Sequence, residues 1–418
     1  VSSARKIIID TDPGQDDAAA IMLALGSPEE IEVLGITAVA GNVPLTLTAR
    51  NARIVCELCN RTDVKIFAGA ERPVARPLVT AEHVHGKTGL DGPALDEPTM
   101  PLQEQHAVDF IVETLRAEAP GAVTLCTLGP LTNIALALTK APEIAPSVRE
   151  LVMMGGGFFE GGNITPAAEF NIYVDPEAAE IVFRSGIPIV MMPLDVTHRV
   201  LTRKTRVEKI RAIGSPAAVA LAEMLEFFER FDIEKYGTDG GPLHDPTVIA
   251  YILRPELFTG RDCNVEIETA SPLTTGMTVV DWWQVTGRAH NAKVMRHIDD
   301  EASSSFWPAP LRGSETPHLT DTSPPPLVRR GLGRGNVWSR TFQVKILPNC
   351  PARAHWRRMS WQALFESNWS RRHCAAPVPD DFPREQPHAS ARPYRAAFRP
   401  RLGPGQPAGR SGNGRPAR

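Results

Sequence analysis

Residues 6–25 read KIIIDTDPGQDDAAAIMLAL. Three consecutive isoleucines form a short apolar, β-branched run, which suits a strand buried on both faces of a sheet. The run ends in acid. After the Pro13–Gly14 turn, residues 16–25 read as a helix, rich in alanine and with carboxylates in its first turn. Strand, tight turn and helix together make the opening unit of an α/β fold.

The alternation continues outward. IEVLGITAVAG (31–41) reads as a second strand, and PLTLTARNARIVCELC (44–59) as a helix opened by a proline where proline is tolerated. VKIFAG (64–69), AVTLCTLGP (122–130), RELVMMGGG (149–157) and IPIVMMPLD (187–195) are further apolar strands. LTNIALALTK (131–140) and DPEAAEIVFRSG (175–186) supply helices, while VEIET, GMTVVD and NAKVMRHID between 265 and 299 read as closing strands. Strands alternating with helices predict one α/β domain over residues 1–300, built around a mostly parallel, Rossmann-like sheet with helices on both faces. Three long loops, 70–100, 155–170 and 232–245, are rich in Gly, His, Asp and Asn. Ligands of such sheets bind beyond the carboxyl ends of the strands, so one site is expected there.

The 418-residue chain changes character near position 300. Residues 301–418 carry 18 Arg and one Lys against seven acids, a net +12; the whole chain is −3, so the first 300 residues carry −15. The same stretch holds 17 of the 38 prolines and five of the seven tryptophans, without periodicity. That composition predicts a disordered, non-catalytic tail with at most a helical turn or two at WQALFES (361–367). A frame-shifted reading of GC-rich coding sequence has the same appearance. Arg interleaved with Trp can bind nucleic acid, but a low-complexity Arg-rich segment is more often simply solvated, so no nucleic-acid role is expected. No apolar run reaches the roughly 18 residues of a membrane span. No export signal precedes the first strand, so reduced thiols and a cytoplasmic location are expected. Cys56 and Cys59 form a lone CxxC without a second pair or histidines at zinc-site spacing, and read as helix-packing thiols.

Asp10, Asp12, Asp16 and Asp17 fall within eight residues at the strand-to-helix junction. Four carboxylates so close repel one another unless a cation neutralises them. An all-oxygen ligand set calls for a hard ion, Ca²⁺ or Mg²⁺. A capped helix start would account for Asp16 alone, not for acids ending an apolar strand. An EF-hand does not fit, because the twelfth position counted from Asp10 is Ile21 and from Asp12 is Leu23, where a glutamate is needed. GGPLHDP offers His244 and Asp245 at the start of a predicted helix, as a general acid and a metal ligand that completes the cage.

DTDPGQDD, VAGN (39–42), HVHGKTGLDG (83–92), LGPLTN (128–133), MMGGG (153–157), AEFNIYVDPEAA (168–179) and HDP (244–246) occur in order along residues 5–299. Taken together, this set resembles the inosine-uridine-preferring nucleoside hydrolases. The resemblance implies a Ca²⁺-bearing pocket and hydrolysis of the N-glycosidic bond of purine or pyrimidine ribonucleosides to ribose and free base, in nucleoside salvage. It implies that Asp12 is the catalytic base, activating a Ca²⁺-bound water, and also a metal ligand. Asp17, Asp245 and the Leu128 carbonyl complete the metal set, and Asp10 lies behind it. Asp16, Asn42, Asn163, Glu169 and Asn171 are assigned to the ribose hydroxyls, and His244 to protonation of the leaving base. His85 falls in a mobile loop covering the pocket, and Tyr236 on a helix beside the base. The resemblance also implies a homo-oligomer, dimeric or tetrameric.

The chemistry suits these residue types. N-glycosidic cleavage develops an oxocarbenium-like ribosyl cation, which carboxylates and amide oxygens stabilise. Glu169 and Asn171 flank Phe170 and would point the same way in an extended segment. MMGGG lacks the GK[ST] of a phosphate-binding loop. Two other readings stand beside this one. A Mg²⁺-dependent phosphohydrolase would use a strand-end aspartate and require a downstream lysine. A nucleoside-binding protein would lack turnover.

Overall fold

The computed structural model describes residues 4–299 apart from Thr238, and of Asp232, Lys235 and Tyr236 only the backbone. These residues belong to the first of two units of the chain, Val1–Pro326 and Leu327–Arg418. The expectations made for residues 301–418, including the turn at 361–367, lie outside the described residues.

The chain starts with β1 (Arg5–Thr11), α1 (Gln15–Leu25), β2 (Ile31–Ala38), α2 (Leu45–Leu58) and β3 (Ile66–Ala68). A long connection contains the single turn α3 (Glu82–His85) and leads to α4 (Ala107–Ala117), β4 (Val123–Thr127), α5 (Thr132–Lys140) and β5 (Val148–Met154). Then come α6 (Phe170–Val174), α7 (Pro176–Phe183), β6 (Ile189–Met192), α8 (Leu194–Thr197), α9 (Lys204–Arg211), the long α10 (Pro216–Tyr236) and α11 (Pro246–Leu253). The described chain closes with β7 (Phe258–Cys263), β8 (Val265–Ile267), β9 (Thr278–Val280) and β10 (Ala292–Ile298).

The main sheet has the order β3-β2-β1-β4-β5-β6-β10-β7. Its pairs are parallel except β10–β7. The sequence read three closing strands. Only β10 joins the main sheet, inserted between β6 and the antiparallel edge strand β7, whereas β8 and β9 form a separate two-stranded sheet. The edge strand FTGRDC lacks a clean apolar period, and its role is set by pairing with β10 rather than by its own pattern.

Burial on both faces accounts for the apolar strands. Ile7 and Ile9 of β1 enter one core cluster and Ile8 the other, so a continuous isoleucine run serves both helix layers. All eleven residues of α1 are buried. Its alanines permit close packing, and its polar first turn is held inside the protein. Cys56 is buried on α2 and Cys59 half-buried just after it, and the four described cysteines are free thiols.

Connections leave β1 toward β2 on one side and reach β4 on the other. The strand order therefore reverses between the parallel neighbours β1 and β4, which opens a crevice beyond their carboxyl ends. Asp10 and Asp12 come from the end of β1 and Leu128 follows β4 directly.

Candidate active site

A cavity opens at this switch point. It is lined by Asp16, Asn42, His85, Leu128, Asn163, Glu169, Asn171, His244 and Asp245, nine residues singled out from the sequence and drawn from six separate segments. Asp10, Asp12 and Asp17 lie behind this wall, almost wholly buried. Tyr236 ends α10, and its side chain lies outside the described residues.

Asp12 is pinned by backbone. Its Oδ2 accepts from the Asn42 N–H at 2.7 Å, while Oδ1 is buried without a hydrogen-bond partner. Glycines on either side make room for it: a Cβ at Gly41 would lie 2.0 Å from Oδ2, and one at Gly129 2.2 Å from Oδ1. These two glycines are required by close approach. Asp17 accepts from the Thr11 hydroxyl (2.5 Å), the Gly14 N–H (3.0 Å) and the Asn42 side-chain amide (3.2 Å). Asn42 therefore ties both acids together, donating also to the Asp12 carbonyl at 3.1 Å.

Asp16, Asp17 and Asp245 present carboxylate oxygens within 4.8 Å of one another. Asp245 opens α11 without capping it through its side chain. Instead its carboxylate meets that of Asp17, a contact that requires a shared proton or a cation. Each pair of charges at such spacing repels by about 3–4 kcal/mol at an effective dielectric constant near 20. Burial, then the charge of Asp17, pushes Asp16 up to about 8 and drives Asp12 well above the ordinary carboxylate range. No Lys or Arg is among the described residues lining the cavity. Buried oxygen donors with no basic partner fit a hard divalent ion. The grouping differs from the predicted ligand set in one respect. Asp16, assigned to ribose, belongs to the close trio, whereas Asp12 stands outside that spacing. The Leu128 carbonyl is occupied by the Asn171 side-chain amide at 2.8 Å.

Beneath these groups, Asp10 Oδ1 accepts from Thr37 (2.6 Å) and Asn133 (2.8 Å), and its other oxygen has no partner. Burial pushes its carboxyl up to about 7.

Residues 169–171 do not form one extended segment. Phe170–Val174 is helical, and Glu169 caps it, accepting from Asn171 N–H (3.0 Å) and Ile172 N–H (3.3 Å) and also from Gly156 N–H (2.8 Å). Capping turns Glu169 back into the pocket wall, so it and Asn171 reach the cavity by a route that strand alternation does not describe. Burial pushes Glu169 up to about 7. Asn163 accepts from the Phe170 N–H at 2.9 Å, joining the Gly-rich loop to this helix. The three glycines of MMGGG pack against Glu169 and Thr278 rather than forming a phosphate cradle.

His85 is buried and His244 half-buried, and desolvation in the wall lowers both to about 3, so each imidazole is neutral. His244 Nδ1 meets the Thr197 hydroxyl at 2.8 Å. His85, expected on a covering loop, stacks on Phe228 with ring centres 5.5 Å apart.

Sequence reasoning missed His198, Phe228 and Phe231 in the wall, and Gln15 behind it. His198 follows strand β6 closely, so the strand-end rule reaches it. Phe228 and Phe231, three apart on α10, read as core aromatics. Also missed was Asp195, which accepts from three successive N–H groups, Phe158 to Glu160, and so shapes the loop bearing Asn163.

The inosine-uridine preferring nucleoside hydrolase profile matches residues 7–305. The chain is 54% identical over 296 residues to an uncharacterised protein of Schizosaccharomyces pombe, covering 71% of this chain and 95% of that protein. It is 51% identical over 294 residues to the pyrimidine-specific ribonucleoside hydrolase RihA of Escherichia coli K12, covering 70% and 94%. Among solved structures, the purine-preferring ribonucleoside hydrolase from Gardnerella vaginalis superposes with a TM-score of 0.69 at 31% identity, covering 74% of this chain and 98% of that one.

Proposed function

The chain belongs to the inosine-uridine preferring nucleoside hydrolase family, and from that premise we propose that it hydrolyses the N-glycosidic bond of ribonucleosides, pyrimidine nucleosides foremost. The observation that carries this reading is the meeting of Asp16, Asp17 and Asp245 beside a polar-lined cavity beyond the carboxyl ends of the strands. The pyrimidine preference rests on the likeness to RihA.

Asp16, Asp17 and Asp245 would hold Ca²⁺, with the Leu128 carbonyl and Asp12 at its margin. When bound, the ion neutralises the carboxylates and supplies Lewis acidity toward oxygen. The remaining steps belong to the chain's own groups. Asp12 keeps one oxygen on the Asn42 N–H and leaves Oδ1 to take the proton of the attacking water. Asn42, Asn163, Glu169 and Asn171 orient the ribose and stabilise its developing positive charge. His244 has Nδ1 on Thr197, so Nε2 is the edge offered to the leaving base. With Nδ1 accepting from the Thr197 hydroxyl, the neutral ring carries its proton on Nε2 and donates there, and its basicity rises as negative charge builds on the base.

The phosphohydrolase reading lacks its lysine among the described residues lining the cavity. The nucleoside-binding reading is separated by turnover. Ribose release from uridine, cytidine, inosine and adenosine, with and without chelator, tests the proposal. Fastest release from the pyrimidine nucleosides, abolished by chelator and restored by Ca²⁺, is expected. No release from any of the four would refute it. A cytoplasmic salvage role and assembly as a dimer or tetramer belong to the same reading. Light scattering checks the assembly.

A further inference from the structure

Gln15 stands between Gly14 and Asp16 in the acidic motif, yet its side chain joins neither the carboxylates nor the cavity. It is fully buried and turns toward the connection that carries α3. Its Nε2 donates to two backbone oxygens, those of His85 at 3.0 Å and Asp91 at 3.1 Å. Its Oε1 lies 2.7 Å from His85 Nδ1.

This arrangement settles a proton position. An amide turned the other way would aim its oxygen at two carbonyl oxygens inside the protein, leaving all three without donors. Nε2 therefore faces the carbonyls, and Oε1, which only accepts, faces the ring. A bond at 2.7 Å then requires the proton on His85 Nδ1. The ring is wedged by its neighbours: a Cβ at Gly14 would lie 2.4 Å from Nδ1, and Phe228 stacks on one face. With Nδ1 turned to Gln15 and the ring in the cavity wall, Nε2 is the edge left for a ligand.

We propose that Gln15 is a positioning residue that holds His85 as the Nδ1–H tautomer, so that His85 Nε2 accepts a hydrogen bond from the nucleoside. His85 then recognises a donor on the substrate and supplies no proton to the reaction. The depressed basicity of the buried ring agrees with this role. The role of Nε2 rests on the nucleoside hydrolase reading above, and the tautomer does not. Nucleosides carry two kinds of donor suited to it, the ribose 5′-hydroxyl and the base N–H, and substrate analogues separate them.

The test has two arms. The first uses protein labelled with ¹⁵N-histidine, with His85→Asn to assign the signal. Wild type should show a protonated Nδ1 and a bare Nε2. Gln15→Glu, which keeps an acceptor opposite Nδ1, should preserve that pattern. Gln15→Leu should shift the proton toward Nε2. The second arm is kinetic. Gln15→Leu should lower kcat/KM for uridine by about tenfold, the size of one neutral hydrogen bond. The loss should fall within twofold on whichever analogue lacks the donated proton, 5′-deoxyuridine or 3-methyluridine. A bare Nδ1 in active wild-type enzyme overturns this inference alone, as does an equal loss on all three substrates. A protonated Nδ1 in a protein that hydrolyses no nucleoside overturns the nucleoside reading and the role of Nε2 with it.

Discussion

The side-chain amide of Asn171 donates to the main-chain oxygen of Leu128 over 2.8 Å, joining helix α6 to the end of strand β4 in the cavity wall. The same amide also reaches the Met154 carbonyl at 3.3 Å, at the end of β5. One side chain thus orients the ends of two adjacent strands. Asn171→Ala should loosen the Leu128 carbonyl and weaken Ca²⁺ binding by about 10- to 100-fold, the range for groups that orient metal ligands. Calorimetric titration of Ca²⁺ into the chelator-stripped protein measures this, and unchanged affinity would remove Leu128 from the site.

Asp12→Asn keeps the shape of the carboxylate and removes its basicity and charge. Activity should fall by about 10²–10⁴-fold, the usual contribution of a general base. The melting temperature in chelator should hold or rise, because Asp12 is buried and repelled by Asp17. Wild-type turnover in this variant would sink the assignment of the base.

His244→Ala separates departure of the base from binding. Uridine hydrolysis should drop by about 10²-fold or more, while p-nitrophenyl riboside, whose leaving group needs no proton, should lose little. Equal losses on both would mean that His244 only positions the substrate.

Stability should depend on pH in a direction the cation reverses. Asp16 is raised to about 8, and Asp10 and Glu169 to about 7. The folded, metal-free protein therefore binds more protons than the unfolded chain from about pH 4 upward, and its stability falls as pH rises through 7 to 8.5. His85 and His244 are lowered to about 3, so they act in the opposite sense, below about pH 6.5, and drop out of this window. Thermal melts in chelator should show the melting temperature declining from pH 7 to 8.5, and saturating Ca²⁺ should flatten the slope. A metal-free protein that gains stability over this window would contradict the buried-acid account.

Every described residue lining the cavity lies between Asp16 and Asp245. Ending the chain after Asp300 should leave kcat within about twofold of the full chain and Ca²⁺ affinity unchanged. A folded but inactive truncated protein would place a functional element within residues 301–418.

Much of this was legible in the residues themselves. The isoleucine run, the alanine-rich helix after a Pro-Gly turn and the repeated apolar strands describe local preference and burial, and the parallel sheet follows from their alternation. The chemistry of the acids was equally local: Asp10, Asp12, Asp16 and Asp17 share one junction, and their repulsion asks for a cation whatever surrounds them. Pairing with distant chain was not local. The trio of Asp16, Asp17 and Asp245 depends on α11 packing beside α1. The capping turn that carries Glu169 into the wall depends on the Gly156 N–H, 13 residues away. Gln15 finds His85 70 residues along the chain, where side-chain periodicity carries no information. Sequence set which groups could do chemistry, because charge, hydrogen-bonding capacity and local propensity belong to each residue. Tertiary structure alone decided which of them meet, because a hydrogen bond or a cation cage is a condition on distance that only the packed sheet and helices satisfy.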